Sequence, residues 1–338
     1  HNIHGSIAFN NTGTVNVDAG TLEISGGTGN GSFSVDAGAT LQVDGGSRNP
    51  SSLINNGTVR LTSSGGAVLD VTSNFANNGL LDIGSGTTFG VSTPASTFTN
   101  NTVGVISGTG TLIAPTGGLV NHGIIRPAGA NAVGVLTVTG NVDFAATSVL
   151  DIEINGSASS DKLAISGAVN VTGGATLRLN EIGGFATSVS NSYVPMTFGS
   201  ASGTFAIDRS FGDAYNAAQN ANNLTLTVTS NTNYVLWDGG AGGTGTVWND
   251  ALNWAGDVAP TTNDDVLINA GVGITVDAAS QAARRMQSSR DITVNTSSAS
   301  LSLSGAGLST MSGAMTVNGG ASLNVGSGGL NIGGSFIN

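Results

Sequence analysis

The sequence predicts an all-β chain wound as a β-solenoid of about 22 residues per coil. Three observations point there. A segment of the form apolar-x-Asn-Asn-Gly recurs at nearly constant spacing. Short stretches of alternating apolar and polar residues separate its copies. The composition also disfavours helices, because 53 of the 338 residues are glycine and the strong helix formers Lys, Glu and Gln are scarce.

The repeat is clearest at Leu53-Ile54-Asn55-Asn56-Gly57-Thr58-Val59. It returns from Phe75, from Phe98 (Asn100-Asn101-Thr102) and from Leu119 (Asn121-His122-Gly123), at intervals of 22, 23 and 21. A further copy from Phe9 lies 44 positions before Leu53, two periods away. Between the copies, Thr21-Leu22-Glu23-Ile24, Thr40-Leu41-Gln42-Val43, Val68-Leu69-Asp70-Val71 and Leu136-Thr137-Val138 read as strands with one buried face. Asn-Gly and Gly-Gly pairs are expected to supply positive φ at the corners. Stacked asparagines at one corner, Asn11, Asn56, Asn78 and Asn101, are expected to form an amide ladder. Asn-Gly also signals hairpins of a sandwich. The shared phase of five copies favours the solenoid.

The pattern predicts three regions: a solenoid over 1–233, less regular over 180–223; a junction module rich in Trp and Asp over 234–290; and a second solenoid segment over 291–338. Ala214 to Asn223 reads as a loop or a short helix. Phe336-Ile337-Asn338 opens another Phe-x-Asn coil, and His1 to Ile7 reads as ordinary repeat. Neither end carries a capping signal. The expectation is continuation of the chain or head-to-tail pairing of separate copies.

The formal net charge is −11, from one Lys and eight Arg against 20 acids. That excludes the basic patch a nucleic-acid or anionic-lipid surface needs. No run of 18 apolar residues predicts a membrane-spanning helix. No cysteine is present, so disulfides, thiolate metal sites and Cys nucleophiles are excluded.

Several motifs resemble those of giant bacterial surface proteins, the autotransporter passenger domains and filamentous-haemagglutinin-like exoproteins. The Asn-Asn-Gly and Gly-Ala-Thr-Leu repeats carry the resemblance along the chain. The stretch from Asp161-Lys162-Leu163 to Leu179, followed by Tyr193 to Phe205, is similar to a segment of passenger repeats. Most specific are Trp237-Asp238-Gly239-Gly240, Trp248-Asn249-Asp250-Ala251-Leu252-Asn253-Trp254, Pro260 and Asp264-Asp265-Val266-Leu267-Ile268, which resemble a module that opens new arrays. The resemblance implies a right-handed parallel β-helix, exported and displayed on a bacterial surface. Adhesion, biofilm-matrix building or filament formation are the roles it implies. The outer-membrane barrel of that group has no counterpart in these residues.

Candidate chemistry is sparse. Asp250, Asp257, Asp264 and Asp265 are candidate ligands for Ca²⁺, against a reading as turn-capping residues of an acidic loop. Asp18, Asp36 and Asp44 read as turn residues. Trp237, Trp248 and Trp254 are candidates for stacking on a glycan, or else plug the end of a core. Asp151 and Glu153 lie two apart on one strand and share a face, as an acid–base pair on a glycan would. The alternative for them is an ordinary half-exposed strand. Arg284, Arg285 and Arg290 read as a polar connection. Gly239-Gly240-Ala241-Gly242-Gly243 lacks the Lys-Ser/Thr and helix of a phosphate loop. His1, His4 and His122 show no triad order or zinc spacing. The expectation is therefore no catalytic residue and no cofactor. A host or matrix glycan or protein surface is the expected partner, besides the chain's own ends. A glycan-binding or glycan-cleaving β-helix is the alternative.

Overall fold

A computed structural model describes residues 2–3, 8–91, 93–182, 185, 187–240, 245–269 and 271–338, with side chains for all of these except 2, 3 and 63–65. His1, His4 and the rest of the 1–7 repeat lie outside the described side chains, as do Ala241, Gly242 and Gly243 of the glycine run. The protein is a β-solenoid of about 14 turns and about 22 residues per turn, only 1% helical. It forms two compact units, His1–Asp208 with Tyr215–Val228, and Arg209–Ala214 with Thr229–Asn338.

The first unit has three faces of parallel strands. The first face is a nine-stranded sheet that includes Thr14–Val17, Ser52–Asn55, Phe75–Asn77, Phe98–Asn100, Leu119–Asn121 and Val142–Phe144. The second face contains Thr40–Arg48, Leu80–Ile83, Val105–Gly108, Ile124–Pro127, Val149–Gly156 and Thr176–Glu181. The long strand Thr58–Asp70 starts on the second face, beside Thr40–Arg48 and Leu80–Ile83. It ends on the third, where Val68–Asp70 pairs with Thr88–Gly90. Thr111–Ile113, Val135–Thr139 and Lys162–Ile165 continue that third face.

Register aligns like residues in columns. Leu41, Val59, Leu81, Ile106, Ile125, Leu150 and Leu177 pair in succession, and each is fully buried. Burying each such side chain is worth about 1.5–3 kcal/mol, so one column supplies a large apolar driving force. Phe75, Phe89 and Phe98 meet where the first and third faces approach, with ring centroids 4.9–5.8 Å apart.

Two expectations need correction. The Phe9 copy is out of phase with the other four. The strand Thr14–Val17 pairs with Ser32–Val35, which pairs with Ser52–Asn55, so Val15, not Phe9, shares the column of Leu53. Backbone register and the apolar alternation of Val15 and Val17 overrode the matching letters. Ala214–Gln219 is a strand rather than a loop or helix, and lies beside Asn223–Ser230. The latter runs antiparallel to Ser192–Thr197, with Tyr193 opposite Leu226 and Met196 opposite Leu224. Sheet pairing supplied hydrogen-bond partners that the polar sequence did not announce.

The second unit stacks five-, four- and three-stranded parallel sheets. Arg285–Ser288 pairs with both Asp265–Ile268 and Ser309–Met311, so segment 291–338 extends sheets that open within 234–290. Its core runs through Val266, Met286, Ile292, Leu301 and Met315.

Candidate functional site

The three tryptophans sit in the core of the second unit, each no more than 1% exposed. Trp254 meets Trp237 and Trp248 edge-on, both at 4.9 Å, and its Nε1 donates to the Trp248 carbonyl at 2.7 Å. With no ring face open to solvent, they cannot stack on a sugar. They plug a core instead.

The aspartates beside them have separate tasks. Asp250 caps the 3₁₀ turn Ala251–Asn253 by accepting from Leu252 N at 3.2 Å. Asp264 accepts from Thr261 N and Oγ1 at 2.8 and 2.7 Å. Asp257 is exposed, at φ 55°. Asp265 is fully buried; it accepts from Gly212 N at 2.7 Å and pairs with Arg284 and, at 3.6 Å, with Arg285. Arg285 is itself 3% exposed and lies on a strand, not in the polar connection expected of it. Among the described residues no three His, Asp or Glu side chains converge as metal ligands. The Ca²⁺ candidates are thus dispersed into turn caps and an ion pair.

The asparagines form two ladders. Asn56, Asn78 and Asn101 make the outer one, with Asn78 Nδ2 donating to Asn56 Oδ1 at 3.1 Å and Asn101 Nδ2 to Asn78 Oδ1 at 2.6 Å. Asn11 does not belong to it. Its amide donates to Ser32 O, and its Oδ1 accepts from Gly13 N, because its coil is out of phase. The inner ladder, missed in the sequence, is fully buried: Asn55, Asn77, Asn100 and Asn121. Each Nδ2 donates to the next Oδ1 at 2.7–2.8 Å, and also to nearby carbonyls such as Leu80 O, Val105 O and Ile124 O. Strand parity was the available signal, since Asn77 stands two residues from the inward Phe75. Val35 and Phe144 occupy the same slot on either side of the ladder. Asn55 Oδ1 consequently faces Val35 and has no donor.

The outward column of the second face carries alternating charge. Arg60 meets Asp82 at 2.9 Å, and Arg126 meets Asp151 at 2.6 Å. Arg178 then lies between Asp151 and Asp208, at 3.7 and 3.8 Å. Asp151 and Glu153 do share a face, but neither is half-exposed. They are 1% and 7% exposed. Asp151 also accepts from Asn180 Nδ2 at 2.8 Å. Glu153 accepts from the backbone N–H groups of Asn131 and Ala132, both at 2.8 Å. Asp161, fully buried, accepts from Gly134 N at 2.8 Å and Glu153 N at 3.0 Å. Burial pushes the Asp161 carboxyl up to about 8, against the pull of those two N–H donors, and Glu153 and Asp151 nearby add to the rise. Burial likewise raises Glu153, opposed by its two backbone donors. The oxygens an acid–base pair would offer a glycan are engaged within the protein.

His122 fills the slot after Asn101 in the outer series, its N–H bonded to Asn100 O at 2.7 Å. No protein-family model matches the chain, and no curated protein matches its sequence. Among the described residues no helix is long and apolar enough to cross a membrane.

Proposed function

We propose that the chain is a non-enzymatic structural segment of a bacterial surface protein, an extracellular stalk or filament-forming β-solenoid that stacks end to end. One observation carries the reading: acidic and amide side chains that could do chemistry are instead spent on rungs between coils, in two asparagine ladders and one charge column. Such rungs stiffen a stack along its axis and engage the carboxylates of Asp151 and Glu153 within the protein. Parallel backbone pairing joins each coil to the next, as Ser300–Leu303 to Ser322–Val325 and Met315–Val317 to Phe336–Ile337, and the same pairing between copies would extend the stack. The motif resemblance supports a location outside a bacterial cell. Electron microscopy of the purified chain at rising concentration tests the proposal. Filaments with a rung spacing of about 4.8 Å support it; isolated particles at every concentration reject end-to-end stacking.

A second reading, glycan binding, is favoured by a groove of about 440 Å³ in the second unit. Asn269, Gln287, Ser289, Thr310, Ser312 and Asn331 line it in rows, and none of its lining residues is charged. A glycan array with wild type and Gln287→Ala distinguishes the readings. Binding lost in the variant favours the groove, and no binding at all leaves the structural role.

A further inference from the structure

The charge column of the second face is interrupted at Ser107. Arg60, Asp82, Ser107 and Arg126 occupy successive rungs of it. Elsewhere in the column charged neighbours pair, as Arg60 with Asp82 and Arg126 with Asp151. Asp82 and Arg126 flank Ser107, two rungs or about 9.6 Å apart along the stack, and form no ion pair with each other. The short serine side chain leaves a cavity of about 280 Å³ between them.

The polar groups facing this space have capacity to spare. Ser107 is only 6% exposed and lines the cavity, yet its hydroxyl has no hydrogen bond among the described residues. A buried hydroxyl is ordinarily satisfied, so an orphan that opens on a cavity marks room for a partner from outside. Gly129 keeps that room open, since a Cβ there would stand 3.4 Å from Ser107 Oγ. Arg60 engages only Oδ2 of Asp82, and Arg126 gives Nε and Nη2 to Asp151. Asp82 Oδ1, Ser107 Oγ and Arg126 Nη1 thus offer an acceptor, a hydroxyl that serves both ways, and a donor.

The remaining walls are apolar and fixed. Leu80 and Val105, paired two residues before Asp82 and Ser107, line one side. Ala128, Gly129 and Ala130 form the roof. Ala128, Gly129 and Asn131 have φ of 60°, 90° and 62°, a shape that non-glycine residues keep only where contacts over-determine it. Those contacts are present: Ala128 N donates to Gly108 O at 2.8 Å, and Glu153 accepts from Asn131 N and Ala132 N. A guest therefore meets a site that is already formed.

We propose that this cavity binds the pyranose ring of a neutral sugar, at a place separate from the groove of the second unit. The chemistry of the walls selects that class. One carboxylate and one guanidinium flank the hydroxyl, so the site carries no net charge. A lone anion would face Asp82, and a lone cation Arg126. A ring bearing several hydroxyls donates to Asp82 Oδ1, accepts from Arg126 Nη1 and does either with Ser107 Oγ. Its C–H face lies against Leu80 and Val105. Apolar walls with a few convergent polar groups are the usual form of a small-ligand site. A free α-amino acid matches the two charges but offers no such face.

Amide chemical shifts of the full chain test the proposal. The probes are the methyl pyranosides of glucose, galactose, mannose and N-acetylglucosamine, each titrated to tens of millimolar, with glycine as the zwitterionic comparison. At least one pyranoside should shift the amides of Ser107, Gly129 and Ala130 saturably, with no matching response to glycine.

Ser107→Ala removes a hydroxyl that holds nothing in the fold, and should weaken that binding about tenfold. Asp82→Ala, which breaks only an exposed ion pair, should do the same and serves where the first variant does not fold. No saturable shift with any pyranoside, a response to glycine alone, or undiminished binding in both variants overturns the site. Shifts confined to Gln287 and Thr310 overturn it as well and favour the groove of the second unit.

Discussion

Asn77 shows how much one polar side chain inside a solenoid carries. It accepts from Asn55 and donates to Asn100, Gly79 O and Val105 O. Asn77→Ala leaves a donor and an acceptor buried without these partners, and should cost about 3 kcal/mol in urea unfolding. Asn121→Ala should cost only about half as much. It strands no acceptor on Asn100, whose Nδ2 keeps Gly104 O and Ile124 O. Equal losses would count against a cooperative ladder. Glycine divides similarly. Gly79 has an ordinary φ, but a Cβ there would lie 2.0 Å from Gly57 O. Gly86 has φ 74° and open space around its Cβ position. The Asn-Asn-Gly corners therefore select glycine for close stacking, not for the positive φ expected of them. Gly79→Ala should unfold the coil or cost more than about 3 kcal/mol, against about 1 kcal/mol for Gly86→Ala. The dispersed aspartates yield a third expectation. A chelator should leave the melting temperature unchanged, because Asp250 and Asp264 cap turns and Asp265 pairs with arginine. A fall of several degrees would restore a Ca²⁺ site.

At the scale of the strand, burial decides what a charge pair is worth. Arg60 and Asp82 are 45% and 29% exposed at their side chains, so Arg60→Leu should change stability by less than about 1 kcal/mol. Arg126 reaches an Asp151 side chain that is only 2% exposed. Arg126→Leu removes its main cation and should cost about 3 kcal/mol, measured by denaturant unfolding at neutral pH. A loss as small as that of Arg60→Leu would mean that water reaches Asp151. The two strands look alike in sequence. What separates them is the following coil, from which Arg178 and Asn180 also reach Asp151.

For the whole molecule, the proposed end-to-end stacking governs the expected behaviour. Phe336→Asp places a charge on the strand Phe336–Ile337, and charge is a device by which natural sheets resist edge-to-edge growth. If end-to-end stacking occurs, the variant should abolish concentration-dependent growth in sedimentation while keeping its circular dichroism. Growth unaffected by the substitution would place the contact elsewhere.

The sequence by itself determined the solenoid and its period. Leu53, Phe75, Phe98 and Leu119 recur at the coil spacing, and alternation around them defines the buried face, both local properties of the chain. It also announced the outer ladder of Asn56, Asn78 and Asn101. Tertiary structure alone decided the rest. Phe9 matched the motif in letters, yet backbone pairing put Val15 in its place, because register depends on a neighbouring coil. Trp237, Trp248 and Trp254 were legible as a cluster, but only packing showed their faces covered. Asp151, Glu153 and Asp161 carry no local sign of burial. Their environment is made by Arg126, Arg178 and the backbone N–H groups of Asn131, Ala132 and Gly134, which reach them from other coils, and a desolvated carboxyl is defined by what surrounds it in space.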